Sequence, residues 1–418
     1  MTAGGLLSPY RVLDLTTERG LLCGQILGDL GADVIQVEPP GGSRARRIGP
    51  FVGDEPHPDR SLFWWAFSRN KRSVTLNLES DAGRVMLQRL VEGAHFLIES
   101  DTPGRLAARG LGYDDLAAVN PALICVSISP FGQNGPKAGY ADSDLVIMAA
   151  GGPLLLTGDD DRPPVRLSVP QAYLHASAEA AAAAMIAHNE RQRSGRGQHV
   201  DVSAQQAVAA ATQSGILSTA VGFFDLKRVA GGARYGPFTV RFNYPARDGY
   251  VSITHGFGSS FGPFTRRLME YVYDEGFCDE ATRDKDWLGY VEQLLFGQEP
   301  IEEFDRVKQV IENCTRTKTK AELFDAAHRR DLLVAPVATM AEVAESPQLM
   351  ARGYWCDLEH PELGRTVRYP GPFARLSCAP ITYRRRPPTV GEHNAEIYAG
   401  ELGCTPADLA ALSTQGVI

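Results

Sequence analysis

No Cys-x-x-Cys pair occurs among the seven cysteines of this 418-residue chain, Cys23, Cys125, Cys278, Cys314, Cys356, Cys378 and Cys404, and their scatter carries no metal-ligand spacing. That argues against a disulfide framework and against a bound metal, and predicts free thiols in a reducing compartment. Apolar runs long enough to cross a bilayer are missing, and MTAGGLLSPY at the N-terminus has no basic segment followed by an apolar core. A soluble cytoplasmic protein with no membrane partner is expected. Positive charge is in deficit: 42 Lys and Arg stand against 50 Asp and Glu, a net charge of -8. This speaks against general nucleic-acid binding, although local basic clusters can still grip phosphates. No Gly-x-Gly-x-x-Gly marks the first turn, so neither a nicotinamide nor a flavin cofactor is indicated. Internal repeats and low-complexity tails are also lacking.

What the chain does have is alternation. Residues 10–16 (YRVLDLT) read as a buried strand, 21–30 as a helix and 32–37 as a second strand, a βαβ unit within roughly thirty residues. Residues 73–78, 94–99 and 123–128 read as further strands, and Ser80 is placed to cap a helix over 81–92. Such alternation predicts an α/β fold with a mostly parallel sheet covered on both faces. The strongest local signal is 168–203. Pro170 opens a run crowded with alanine from Ala176 to Ala187, residues that lose no side-chain entropy in a helix and let a neighbouring backbone or a flat ligand come close. Gly195 and Gly197 flank Arg196 in a turn where positive φ is cheap, and residues 199–202 alternate as a strand would.

Basic and glycine-rich segments mark candidate binding loops. After Glu38 an irregular loop carries Arg44, Arg46 and Arg47, which is either a phosphate-holding loop at a strand end or a solvated basic one. A strand at 249–254 leads into His255-Gly256-Phe257-Gly258-Ser259-Ser260-Phe261-Gly262, whose composition predicts a mobile loop, the alternative being an ordinary strand-to-helix turn. Residues 264–273, 287–295 and 320–330 read as helices.

Arg-x-x-Ser-Gly-Arg-Gly-Gln-His-Val-Asp-Val after an alanine-rich helix resembles the class III coenzyme A transferases. That family comprises the carnitine, formate/oxalate, bile-acid and benzylsuccinate CoA-transferases and the 2-methylacyl-CoA racemases. Further landmarks follow in the family's order: Gly31-Ala32-Asp33-Val34-Ile35, Asn70-Lys71-Arg72-Ser73, Gly110-Leu111-Gly112-Tyr113, Phe131-Gly132-Gln133-Asn134-Gly135-Pro136, Pro370-Gly371-Pro372 and Gly391-Glu392-His393. The resemblance implies a Rossmann-like large domain over 1–225, a smaller α/β domain over 226–380 and a segment over 381–418 that returns to the first. It also implies two chains threaded as interlocked rings, to which the long connection at 222–235 is suited, and acyl-CoA and a carboxylic acid as substrates. The loop containing His255, Gly256 and Gly258 is implied to fold over the bound thioester.

Moving coenzyme A between acids requires a carboxylate that attacks the thioester to form a mixed anhydride, and relatives supply an aspartate at the start of the alanine-rich helix. Here the family spacing lands on Ala172 or Tyr173. Gln171, Tyr173 and His175 are the pocket candidates left; the phenol would need a strongly depressed pKa, while the histidine is a base, acid or structural residue. Asp144 falls where relatives carry a second acid near the thioester, or else caps a helix. The racemase histidine position is Ser143. Lys71 and Arg72 match the family's basic pair for the cofactor phosphates, whereas Pro39 replaces an arginine and Glu99-Ser100-Asp101-Thr102-Pro103-Gly104 loses another; Arg44, Arg105 and Arg109 lie close enough to compensate. The loop Thr17-Glu18-Arg19-Gly20-Leu21-Leu22 is one residue shorter than in relatives. Phe63, Trp64 and Trp65 wall an aromatic or alicyclic acid or pack a core.

Three functions follow from these readings: the subunit of a hetero-oligomeric CoA-transferase that lacks the nucleophile and pairs as a heterodimer with an aspartate-bearing homologue, an autonomous transferase with an altered site, for which the partner is a second copy in a homodimer, and a racemase. Whether the chain is itself an enzyme stays open at this point, because activity resides in the site and not in the fold.

Overall fold

The computed structural model describes residues 5–222 and 226–418. Met1–Leu154, Arg166–Gly222 and Gln348–Ile418 form one compact unit, and Leu155–Val165 with Phe223–Pro347 form a second. Residues 223–225, within the predicted long connection, lie outside the described ones.

The first unit is built on six parallel strands: β1 (Arg11–Asp14), β2 (Asp33–Glu38), β3 (Lys71–Thr75), β4 (Phe96–Glu99), β5 (Ile124–Ser129) and β6 (His199–Ser203). Their order is β3-β2-β1-β4-β5-β6, the Rossmann-like arrangement. Successive side chains alternate between two cores, as the period of a strand requires. Val12, Val34, Phe96 and Val126 face one cluster with the alanine-rich helix. Leu13, Ile35, Leu97 and Cys125 face the other, which the helix Asp81–Glu92 and the C-terminal Ile397, Tyr398 and Val417 complete. Tyr398 donates its hydroxyl to the Thr75 carbonyl at 2.8 Å, joining that tail to the end of β3.

The long helix runs Ala172–Ser194 and presents Ala172, Ala176, Ala180, Ala184 and Ala187 inward, on the i, i+4 spacing that lines one face. Pro170 precedes its N-cap, Gln171, and is not in its first turn. Gly195 ends the helix at φ 72°, left-handed backbone that glycine adopts without penalty. Gly197 serves differently: an added Cβ would lie 1.8 Å from the Leu123 carbonyl oxygen, so the residue allows a close backbone approach to β5.

Lys71, the first residue of the edge strand β3, is wholly buried. Its ammonium donates to Asp14 Oδ2 at 2.8 Å, the Leu21 carbonyl at 2.9 Å and Gln36 Oε1 at 2.9 Å. Space for the pair comes from Gly24, where a Cβ would stand 2.0 Å from Asp14 Oδ2.

The second unit contains a hairpin, β7 (Gly232–Tyr235) and β8 (Phe238–Arg241), and an antiparallel sheet of β9 (Asn243–Ala246), β10 (Gly249–Ile253) and β11 (Val334–Pro336). Helices Gly258–Asp274, Ile301–Arg316 and Lys320–Arg330 pack with it around Phe238, Tyr244, Trp287 and Phe304. The predicted mobile loop at 255–262 is corrected: it is a short turn followed by helix from Gly258, with Pro263 inside. Gly262, Thr265, Leu268, Met269 and Val272 form its buried face, and that burial outweighs the helix-breaking composition of the first turn. The helix predicted over 287–295 begins at Tyr290.

Lys71→Met leaves Asp14 buried without its cation and is expected to lower stability by about 3–5 kcal/mol. Urea denaturation measures this, and Asp14→Asn in the Lys71→Met background is expected to restore part of the loss.

Candidate active site

Ligands of parallel α/β sheets sit beyond the carboxyl ends of the strands, where neighbouring connections leave in opposite directions. Here that point lies between β1 and β4, and Thr17 N–H donates across it to Ser100 Oγ at 3.0 Å. A cavity of about 340 Å³ opens there. Its wall combines Thr17 and Arg19 after β1, Pro39 and Arg44 after β2, Asn77 and Glu79 after β3, and Asp101, Arg105 and Arg109 after β4. The three compensating arginines predicted from sequence are therefore brought together.

Lys71 and Arg72 are not among them, which corrects their assignment to the cofactor. They are the first two residues of β3, whereas the cavity is reached from residues beyond its last. Lys71 is held inside the core, and Arg72 bonds Asp33, Glu396 and Glu401 at 2.5, 2.9 and 2.6 Å. A basic pair in sequence thus has two structural partners sets and no line to the cavity.

Two acids shape the floor. Glu38 and Arg46 form a buried pair at 2.6 Å, and Glu38 also accepts from Ser43 N–H and Ser73 Oγ. Arg46 stacks on Trp64 at 3.7 Å, so Trp64, like Trp65, packs a core. Glu99 is nearly buried, and burial pushes its carboxyl up to about 7 against the opposing bonds from Ser127 and the Asp101 N–H.

At the start of the alanine-rich helix none of residues 171–175 carries a carboxylate. Ala172 is fully buried. Tyr173 donates its hydroxyl to Asp142, whose other oxygen takes Arg19 at 2.5 Å. Burial and that bond push the phenol above its ordinary range, the opposite of what a phenolate nucleophile needs. His175 is exposed a turn into the helix and stands outside this cluster. Gln171 is the N-cap and points its amide at the Val169 carbonyl. Asp144 opens the helix Asp144–Ala150, and its Oδ1 accepts from Gln171 N–H at 2.6 Å and Ala172 N–H at 2.8 Å. It therefore sits at the positive end of the long helix, where a carboxylate is stabilised by the unpaired N–H groups. Ser143 caps the helix of Asp144 through a bond to Val146 N–H.

Arg19 and Asp142 were not singled out from sequence. They lie 123 residues apart, and no local pattern links them; the only trace is that Arg19 falls in the shortened first loop.

In the second unit His255 is buried, with Nε2 2.8 Å from the Arg241 carbonyl and 3.0 Å from the Tyr244 hydroxyl. Burial pulls it down to about 4, so the ring is neutral and carries its proton toward the carbonyl. With Gly256 and Gly258 it lines a cavity of about 340 Å³ whose other walls are largely aromatic, including Phe242, Phe257 and Phe261.

The first unit is thus a six-stranded Rossmann-like sheet with an arginine-lined crevice at its switch point. The chain belongs to CoA-transferase family III, which matches residues 7–394, and CoA-transferases act on CoA thioesters. It is 35% identical over 98% of its length to the succinyl-CoA:(R)-benzylsuccinate CoA-transferase subunit BbsE of Thauera aromatica, 98% of which is covered. It is 31% identical to the succinyl-CoA–D-citramalate CoA-transferase of Chloroflexus aurantiacus, with 99% and 98% of the two chains covered. The crystal structure of a CAIB/BAIF family protein from Brucella suis superposes with a TM-score of 0.81 at 28% identity, covering 95% of this chain and 99% of that one.

Glu99→Gln tests the burial of that acid. A carboxyl raised in the folded state holds its proton longer there than in the unfolded chain, so stability falls as pH rises from about 4.5 to about 7. The variant is expected to gain on the order of 3 kcal/mol over the parent at pH 8 and little at pH 4, read by urea denaturation at both.

Proposed function

We propose that this chain is the subunit without a nucleophile in a hetero-oligomeric acyl-CoA:carboxylate CoA-transferase, paired with a homologue that carries the missing aspartate. The observation that carries this reading is the helix start, where the Tyr173 phenol is committed to Asp142 and Arg19 and no carboxylate occupies the place relatives use. Coenzyme A transfer needs an oxygen nucleophile that forms an anhydride and N–H donors that receive the developing oxyanion. A phenol held protonated supplies neither. The likeness to a relative named as a subunit supports the same assignment.

In this reading the chain contributes a coenzyme A cavity, while its homologue performs the acyl chemistry, the two threaded as the resemblance to relatives implies. The free thiols of all seven cysteines fit work in the reducing cytoplasm. Asp144 favours a second reading, an autonomous transferase with an altered site, because its carboxylate stands at the helix start. Two N–H groups share one of its oxygens, however, so the lone pairs of that oxygen are already engaged at the helix start.

The purified chain incubated with succinyl-CoA and a panel of carboxylic acids is expected to give no transfer alone and clear turnover with the aspartate-bearing homologue. Turnover by the lone chain that Asp144→Asn abolishes would establish the second reading instead. Tyr173→Asp in the lone chain is expected to form a covalent acyl adduct from succinyl-CoA, detected as a mass increase, where the parent forms none.

A further inference from the structure

Four arginines line the strand-end cavity, and each already faces a carboxylate of its own chain. Arg19 pairs with Asp142 at 2.5 Å and Arg44 with Glu18 at 2.7 Å. Arg105 and Arg109 share Glu79 and Asp101: Arg109 bonds Glu79 through Nη2 and, at 3.2 Å, through Nε, and reaches Asp101 at 3.2 Å, while Arg105 approaches them at 3.3 and 3.5 Å.

These acids differ in how firmly they are held. Asp142 is 7% exposed and is gripped by Tyr173 as well, whereas the Glu79 side chain is 65% exposed and the Arg109 side chain only 13%. The guanidinium is the fixed partner and the carboxylate the one free to swing into water. Breaking an exposed pair of this kind costs little. A phosphate uses the same planar fork as a carboxylate and brings more charge and more acceptor oxygens to it. Arg109 holds the Glu79 carboxyl below its ordinary range, so it is ionised at neutral pH.

We propose that Glu79 is a displaceable carboxylate clamp that competes with the phosphates of the nucleotide half of acyl-CoA for Arg105 and Arg109. This rests on the reading of the cavity as a coenzyme A site and adds a built-in toll on entry. A ligand without phosphates gains nothing by displacing Glu79, so the clamp biases the cavity toward the phosphate-bearing cofactor and against its phosphate-free fragments. Asp101, 27% exposed and bonded through its backbone N–H to Glu99 at 2.6 Å, stays behind as the lasting partner of Arg109.

Isothermal titration calorimetry of the full chain with CoA, and with adenosine 3′,5′-bisphosphate as the nucleotide fragment, tests this on the parent, Glu79→Gln and Asp101→Asn. Glutamine keeps the shape and removes the charge at a solvent-facing position, and circular dichroism checks that it folds. At low salt Glu79→Gln is expected to bind both probes about three- to tenfold more tightly than the parent. The gap is expected to close in about 0.5 M NaCl, where exposed charges are screened within a few ångström. Equal affinities for parent and Glu79→Gln, with CoA bound by both, overturn the clamp and leave the coenzyme A reading intact. Weaker binding by Glu79→Gln overturns it too, since it makes Glu79 a ligand contact. If neither protein nor Asp101→Asn binds either probe, the coenzyme A reading falls and the clamp with it.

Discussion

One ammonium group holds the first unit in register. Lys71 opens β3, yet its three acceptors come from the end of β1, the middle of β2 and the first turn of the helix Leu21–Asp29. Removing two charges from water is expensive, and their attraction repays it only when every donor and acceptor is satisfied. All four parts must therefore be in place together. Asp14 is itself fixed by Thr16, whose N–H and hydroxyl both donate to its other oxygen, at 2.9 and 2.6 Å. That turn begins the loop which carries Arg19, so the buried pair also sets where the cavity wall starts.

From this follows a division of the cations by position along the strands. Those at the amino ends of the sheet, Lys71 and Arg72, are absorbed into the fold, the second by Asp33 and the C-terminal Glu396 and Glu401. Of those beyond the carboxyl ends, Arg46 and Arg19 are held by the buried side chains of Glu38 and Asp142, while Arg44, Arg105 and Arg109 are paired with acids that keep contact with water. The charges differ less in type than in the exposure of their partners.

Much of the fold was legible because it depends on local pattern. Alternating apolar runs announced the parallel strands, and alanine followed by Ser-Gly-Arg-Gly announced the long helix and its stop. The cavity arginines were legible as well, since loops that follow strand ends converge in any such sheet. What was not legible depends on contacts between distant residues. Asn70-Lys71-Arg72-Ser73 looks the same whether its cations meet a phosphate or Asp14, 57 residues away. The glycine-rich stretch after His255 misled for a related reason: its composition suits a loop, while the decision was made by Leu268, Met269 and Val272 downstream, whose burial pulls helix back to Gly258. Asp142 gave no signal at all beside the more conspicuous Asp144.

Three features around the helix start are best understood as one arrangement. A tyrosine at position 173 brings a hydroxyl into a part-buried site, and such a group needs an acceptor. Asp142 provides it, but a carboxylate only 7% exposed needs in turn a cation. Arg19 provides that from the first loop, and its guanidinium also lies 5.8 Å from the centre of the Tyr173 ring. Each member answers the demand made by the one before it, and the set closes on itself. An aspartate at 173 would stand as a third carboxylate beside Asp142 and Asp144, and Arg19, already held by Asp142, would leave it without a settled partner. The first loop, the tyrosine and Asp142 therefore stand or fall together as one hydrogen-bonded cluster.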